Sequence, residues 1–140
     1  MPDVHGVNLA EHPAPLAAEQ RAASAAVRLR RKDMVGAILA DCSVRWPAVF
    51  KNPVPLAIGS ARQIRAGLQG TGATYKGIGL TIHRWTMQTV YLRAVMRGEM
   101  RRNLDGTEAG IPDDAAREHA RKLLEERAAR NAAKPKRKQA

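Results

Sequence analysis

Aromatic side chains make up only 4% of the 140 residues: two Trp, two Tyr and one Phe. With 44% hydrophobic content, the core must therefore be built mainly from Ile, Leu, Val, Met and Ala, which suits an alanine-rich helical protein. Cysteine is almost absent too. The single Cys42 excludes an internal disulfide, and its neighbours Leu39 and Trp46 mark it as a core thiol rather than a nucleophile. No apolar run approaches the roughly 18 residues that span a bilayer, and the start Met-Pro-Asp-Val-His lacks the basic-then-apolar order of a signal peptide. A cytoplasmic protein without a membrane partner is expected. Acidic residues are scarce as well, 13 against 24 Lys and Arg, which gives a net charge of +11.

Several chemistries are excluded by missing patterns. The glycine-rich stretch from Gly70 to Gly79 lacks the GxxxxGK[ST] spacing of a phosphate loop, because Lys76 follows Tyr75 and not glycine. Gly70-Thr-Gly72 also lacks the third glycine and the alternating strands and helices of a dinucleotide site. His5, His12, His83 and His119 are scattered, with no cysteine pair or HExxH spacing to close a zinc site. No poised carboxylate pair suggests acid–base catalysis, and Asp105 has a ready role in a turn. The chain reads as a non-enzyme with no cofactor, no metal and no small-molecule substrate.

What is there is positive charge, and it is not confined to the ends. Residues 46–111 hold nine basic residues against three acidic ones. Polyanions are the expected partners. The basic stretches are rich in alanine rather than Trp, Phe or Leu, which argues against a membrane surface. Composition alone does not separate RNA from DNA. An architectural DNA-binding protein and a basic protein-interaction module stay open beside an RNA-binding protein. A domain this small is expected to work as a monomer.

Along the chain, positions 1–15 carry Pro2, Pro13 and Pro15 and little periodicity, which predicts a disordered leader. Residues 16–32 have high helix propensity but little to bury, which predicts a basic arm, helical or ordered on contact. Asp33 is an expected N-cap for a short helix carrying Val35, Ile38, Leu39 and Cys42 and ending near Ser43. Trp46, Val49 and Phe50 supply apolar bulk in a loop that Pro47, Pro53 and Pro55 keep out of helix. Ser60 and Thr74 are expected to cap two further helices, one with Ile64 and Leu68, the other with Ile78, Thr81, Ile82 and Trp85 on one face. Thr86 is expected to start another, with Val90, Leu92, Val95 and Met96 as core and Gly98 as its end. Asp105-Gly106 within 100–111 predicts a short β-hairpin. Pro112-Asp113-Asp114 opens a last helix striped with Ala116, Ala120, Leu123 and Leu124. The expected class is mainly α (α+β): a compact helical domain over 33–126 with a small β-hairpin, flanked by basic extensions over 1–32 and 127–140.

Over residues 46–126 the order of motifs resembles the ProQ/FinO family of bacterial RNA chaperones. The carrying pieces are Trp46-Pro-x-x-Phe50, Pro55-Leu-x-Ile-Gly59, Trp85-Thr86 followed by Tyr91-Leu92, Arg101-x-x-Leu104-Asp-Gly106, Gly110, and the helix holding His119-Ala-Arg-Lys-Leu123. The resemblance implies a mainly helical domain with a small β-hairpin that is not an enzyme. It implies binding of structured RNA, a stem-loop with a single-stranded 3′ end as in terminators, and a role in RNA stability or sense–antisense pairing.

By position, the resemblance implies that Tyr91 and Arg101 line a pocket for the RNA 3′ end and that the helix start at Thr86 contacts its phosphates. Such roles fit the chemistry of a helix N-terminus, an arginine fork and a tyrosine. The same residues admit plainer roles: Tyr91 in the core, Arg101 on a hairpin surface, Thr86 as a structural cap. The sequence departs from the family on the helix after Thr74, where an expected basic track falls near Tyr75 or Lys76, at Gly79 and at His83, and again at Ala57. Lys76, His83, Arg84, Arg93, Arg97, Arg102 and the basic extensions are therefore expected to share the phosphate load. Because neutralising phosphates releases counterions, the logarithm of affinity for RNA is expected to fall linearly with that of salt, by roughly 0.7–0.9 per phosphate contacted. Anisotropy titrations across a salt series measure this, and a flat profile contradicts it.

Overall fold

A computed structural model describes residues 13–134 of the chain. Most of the expected leader, positions 1–12, and the end of the basic extension, positions 135–140, lie outside the described residues. Among the described residues there are six helices: α1 (Pro13–Arg45), α2 (Pro47–Phe50), α3 (Ser60–Gly67), α4 (Tyr75–Thr86), α5 (Thr89–Met96) and α6 (Asp114–Ala133). None of them is long and apolar enough to cross a membrane. The mainly helical class expected from the sequence is the class that forms.

Asp33 does not cap a new helix; it lies inside α1. Its neighbours Arg30, Arg31, Lys32 and Met34 are good helix formers, so nothing draws the backbone at position 33 out of the helix. The chain divides into two compact units between Met34 and Val35. In the first, no described side chain from 17 to 34 is buried. In the second, Val35, Ile38 and Cys42 are buried, three and four residues apart on one face. Burial, with help from the Asp41 carboxylate, pushes the Cys42 thiol up to about 11, so it is protonated at neutral pH and inert as a nucleophile.

The stretch after α1 was expected to be a loop, but Pro47 opens a one-turn helix there. Proline is tolerated at a first helical position, where its missing N–H would have had no partner. The turn buries Val49 and Phe50. The Phe50 ring lies 5.1 Å from Trp85 and 6.3 Å from Trp46, tilted by 47° and 43°. Each such pair contributes about 0.5–1.5 kcal/mol beyond its buried area. Three of the five aromatic residues thus meet in one cluster.

Helix α3 is entered through Gly59 at φ 91°, and the Ser60 hydroxyl donates back to the Ala57 carbonyl at 2.7 Å rather than capping forward. Ile64 and Leu68 fill the core beneath it. Thr74 caps α4 as expected, accepting from the Gly77 N–H at 3.0 Å. Ile78, Thr81 and Trp85 form its buried face, and the buried Thr81 hydroxyl donates to the Gly77 carbonyl at 2.8 Å. Helix α5 starts at Thr89 behind Gln88, not at Thr86; Leu92 and Val95 are buried as expected, whereas Val90 points outward (54% exposed) and Tyr91 inward (6%). Asp113 caps α6, accepting from the Ala116 N–H at 2.8 Å. That helix runs to Ala133, past the boundary expected at 126.

The β-hairpin expected over 100–111 is not seen. Among the described residues there is no strand, only two isolated bridges, Leu56 with Arg102 in parallel and Arg102 with Glu108 antiparallel. The chain does reverse there, with the Arg101 N–H donating to the Gly110 carbonyl at 2.7 Å, the Ala109 N–H to the Arg101 carbonyl at 2.8 Å and the Asn103 N–H to the Thr107 carbonyl at 2.8 Å. The Asn103, Asp105 and Thr107 side chains bond across the turn, but the pairing stops at isolated bridges. Asp105 accepts from the Thr107 N–H at 3.0 Å and its hydroxyl at 2.6 Å, contacts that also hold its carboxyl below the usual range.

Trp46 lies flat enough on α3 that a Cβ at Gly67 would sit 2.5 Å from its indole. An alanine there gains roughly 0.5–1 kcal/mol of helix propensity, set against about 1–3 kcal/mol for forcing the ring aside. Gly67→Ala is expected to destabilise the fold by about 1 kcal/mol, read as a lowered urea midpoint with an unchanged slope.

Candidate nucleic-acid interface

Tyr91 and Arg101 are brought together, on opposite ends of the same peptide residue. The Tyr91 hydroxyl accepts the Leu56 N–H at 2.9 Å, and Arg101 Nη1 donates to the Leu56 carbonyl at 2.9 Å. Tyr91 reaches this point from the buried face of α5; Arg101 reaches it from the segment after Gly98, whose positive φ of 75° ends that helix. Burial raises the phenol's pKa, against the opposing pull of the Leu56 N–H and the Arg101 charge, so the hydroxyl keeps its proton. With one lone pair engaged, it still has a proton to give. Arg101 is half-buried and has further N–H donors beyond the one committed to Leu56. The pair is thus rich in donors and held in place by backbone.

Thr86 does not join them. It is the last residue of α4, and its hydroxyl donates back to the Ile82 and His83 carbonyls at 3.1 and 3.2 Å. Thr86 is still within α4, three residues before the next helix begins, so it does not cap that helix. The N-terminus that was expected at Thr86 belongs instead to Gln88 and Thr89, where no side chain caps the free N–H groups of α5. An anion is favoured at such an end.

The remaining expected residues spread over three elements. Lys76 and His83 share one exposed face of α4, two turns apart, with Arg84 exposed beside it. Arg93 and Arg97 are exposed at the end of α5, and Arg97 is paired with Glu99. Arg102 is half-buried: its backbone makes both bridges, and its side chain reaches the Gly106 carbonyl at 3.4 Å.

The sequence assigns Arg127 to the basic extension over 127–140, but its guanidinium donates to Thr89 Oγ1 at 2.9 Å and to the Met87 carbonyl at 2.7 Å. It therefore ties α6 to the junction of α4 and α5 and places a positive charge at the start of α5. The apolar stripe Ala120, Leu123 and Leu124 continues to position 127 at helical spacing, and that periodicity was the available signal. A groove of about 430 Å³ between α5 and α6 carries Arg93, Arg97, Arg121 and Arg127 on its walls.

Removing the Tyr91 hydroxyl leaves the buried Leu56 N–H without its acceptor, which costs about 1–3 kcal/mol. Tyr91→Phe is expected to lower stability by that amount while leaving helix content unchanged, as measured by chemical denaturation followed by circular dichroism. An unchanged midpoint would show that the hydroxyl does not hold the Leu56 segment.

Residues 32–137 match the ProQ/FINO family. Among solved structures, the fold is similar to a crystal structure from Neisseria meningitidis MC58 described as a FinO-like RNA chaperone, with a TM-score of 0.56 and 23% sequence identity. That likeness covers 64% of this chain and 93% of the other, and at this identity it is a likeness of fold. No curated protein matches the chain.

Proposed function

The chain belongs to the ProQ/FINO family, and from that premise we propose that it is an RNA chaperone that binds structured RNA bearing a single-stranded 3′ end. The solved structure it resembles is described as an RNA chaperone, and the domain's excess of basic over acidic residues suits the same polyanion. The observation that carries the reading is the joint anchoring of Tyr91 and Arg101 on Leu56. Two surplus donors, one neutral and one charged, are fixed beside each other with no carboxylate among their hydrogen-bond partners. That is what a terminal ribose and its phosphate require of a protein.

In this reading the 3′ end lies against Tyr91 and Arg101, and the uncapped start of α5, with Arg127 beside it, takes an adjoining phosphate. Lys76, His83 and Arg84 on α4, together with Arg93, Arg97 and Arg102, meet the phosphates of the stem. The basic stretches over 1–32 and beyond Ala133 add sequence-independent attraction. No covalent step is involved: the protein acts by holding the RNA end and the stem, which modulates decay and sense–antisense pairing.

A terminator-type hairpin with its 3′ tail is expected to bind at least tenfold more tightly than the same hairpin without it. Arg101→Ala is expected to remove most of that difference, because a charge-assisted hydrogen bond contributes about 1.5–3 kcal/mol, tenfold or more in affinity. Equal affinity of the wild type for the two hairpins would sink the 3′-end reading. Preferential displacement of the RNA by duplex DNA would favour an architectural DNA-binding role instead.

A further inference from the structure

We infer that Arg65 and Tyr75 form a stacking platform for an unpaired nucleobase, a contact that rests on the RNA-binding reading but is built from residues outside the Tyr91 and Arg101 pair. Tyr75 is the first residue of α4 and remains 76% exposed. Arg65 crosses to it from α3: its guanidinium carbon lies 3.6 Å from the ring centroid, and Nη1 donates to the Tyr75 carbonyl at 2.8 Å. The hydrogen bond locks the guanidinium over one face of the ring. Since the residue keeps so much exposure with that face covered, the opposite face is open to solvent.

Gly79, one turn further along α4, leaves room for the arrangement. A Cβ there would stand 3.0 Å from Arg65 Nη2, tight enough that the guanidinium would have to give by a few tenths of an ångström. A hollow of about 430 Å³ adjoins the pair, lined by Arg62, Arg65, Leu68, Ala73, Tyr75 and Ile78 among others. This falls within the roughly 300–1,000 Å³ of small-molecule sites. Its lining combines apolar wall, one aromatic plane and two guanidinium groups, with no carboxylate. Lys76 lies exposed next to Tyr75.

A ligand matched to this set has a flat apolar face and a negative charge close to it. An unpaired nucleotide has both, since its base stacks on aromatic and guanidinium planes while its phosphate meets the cations. A base-paired stem offers phosphates but keeps its base faces stacked inside the helix. The platform therefore selects single-stranded RNA, and it would let the protein grip an unpaired flank or loop in addition to a 3′ end.

Binding of the full chain to a short oligoadenylate and to a blunt RNA duplex tests this. Tyr75→Ala is expected to weaken oligoadenylate binding roughly tenfold while duplex affinity changes little, and Tyr75→Phe, which keeps the ring, is expected to bind as the wild type does. Arg65→Lys keeps the charge without the plane and is expected to lose several-fold on oligoadenylate alone. Unchanged oligoadenylate binding in both Tyr75→Ala and Arg65→Lys overturns the platform. An equal loss on both RNAs overturns it as well, because it would reflect charge rather than stacking. A wild-type chain that binds neither RNA sinks the RNA-binding reading itself, and this inference with it.

Discussion

Pro55 and Leu56 are buried in a fold that builds no sheet among its described residues, so their peptide groups must find partners one at a time. They do. The Leu56 N–H goes to the Tyr91 hydroxyl and the Leu56 carbonyl to Arg101; the Pro55 carbonyl accepts from the Arg102 N–H at 2.8 Å, and the Ala57 N–H donates to the Arg102 carbonyl at 2.8 Å. A buried peptide group left unpaired costs about 1–3 kcal/mol, and an extended segment threaded through a helical core would otherwise leave four. Arg101 and Arg102 are neighbours in sequence, so this segment is held largely by one short piece of chain and one tyrosine.

That constraint couples fold to function. The residues proposed to hold an RNA end are the ones that satisfy the Leu56 peptide, and they are positioned by it without depending on a ligand. Pre-arranged donors lose little freedom on binding, which favours affinity. Tyr91 itself is 6% exposed, and its contact with the Leu56 N–H is buried. The ring is core, and the binding role proposed for Tyr91 rests on its hydroxyl alone.

Much of this was legible in the sequence, and the misreadings share a cause. Thr74 was readable as a cap, and Pro112-Asp113-Asp114 as a helix start, because the Thr74 and Asp113 side chains each accept from an N–H three residues on, a contact set by local geometry. Asp33 has the same chemistry but sits in a stretch whose helix propensity continues on both sides. Thr86 and Ser60 donate backward to carbonyls, an alternative open to any hydroxyl and invisible in a residue pattern. On the helix that follows, Leu92 and Val95 are buried as expected, but Tyr91 and not Val90 completes that face. The pairing of Tyr91 with Arg101 was accessible only through family resemblance. Arg65 over Tyr75 was not accessible at all, because it depends on how α3 and α4 pack.

The distribution of acids decides how much of the positive charge can reach a phosphate. Arg45 pairs with Asp41, Arg97 with Glu99, Arg117 with Asp114, and Arg121 with both Glu118 and Glu125. All of these pairs are on the surface, where an ion pair contributes about 0–1 kcal/mol. Arg97 and Arg121 thus stand beside carboxylates, and Glu125 shares the wall of the groove between α5 and α6 with them. Arg127 differs: its partners are the neutral Thr89 hydroxyl and Met87 carbonyl, so its full charge persists at the start of α5, the end where an anion is already favoured.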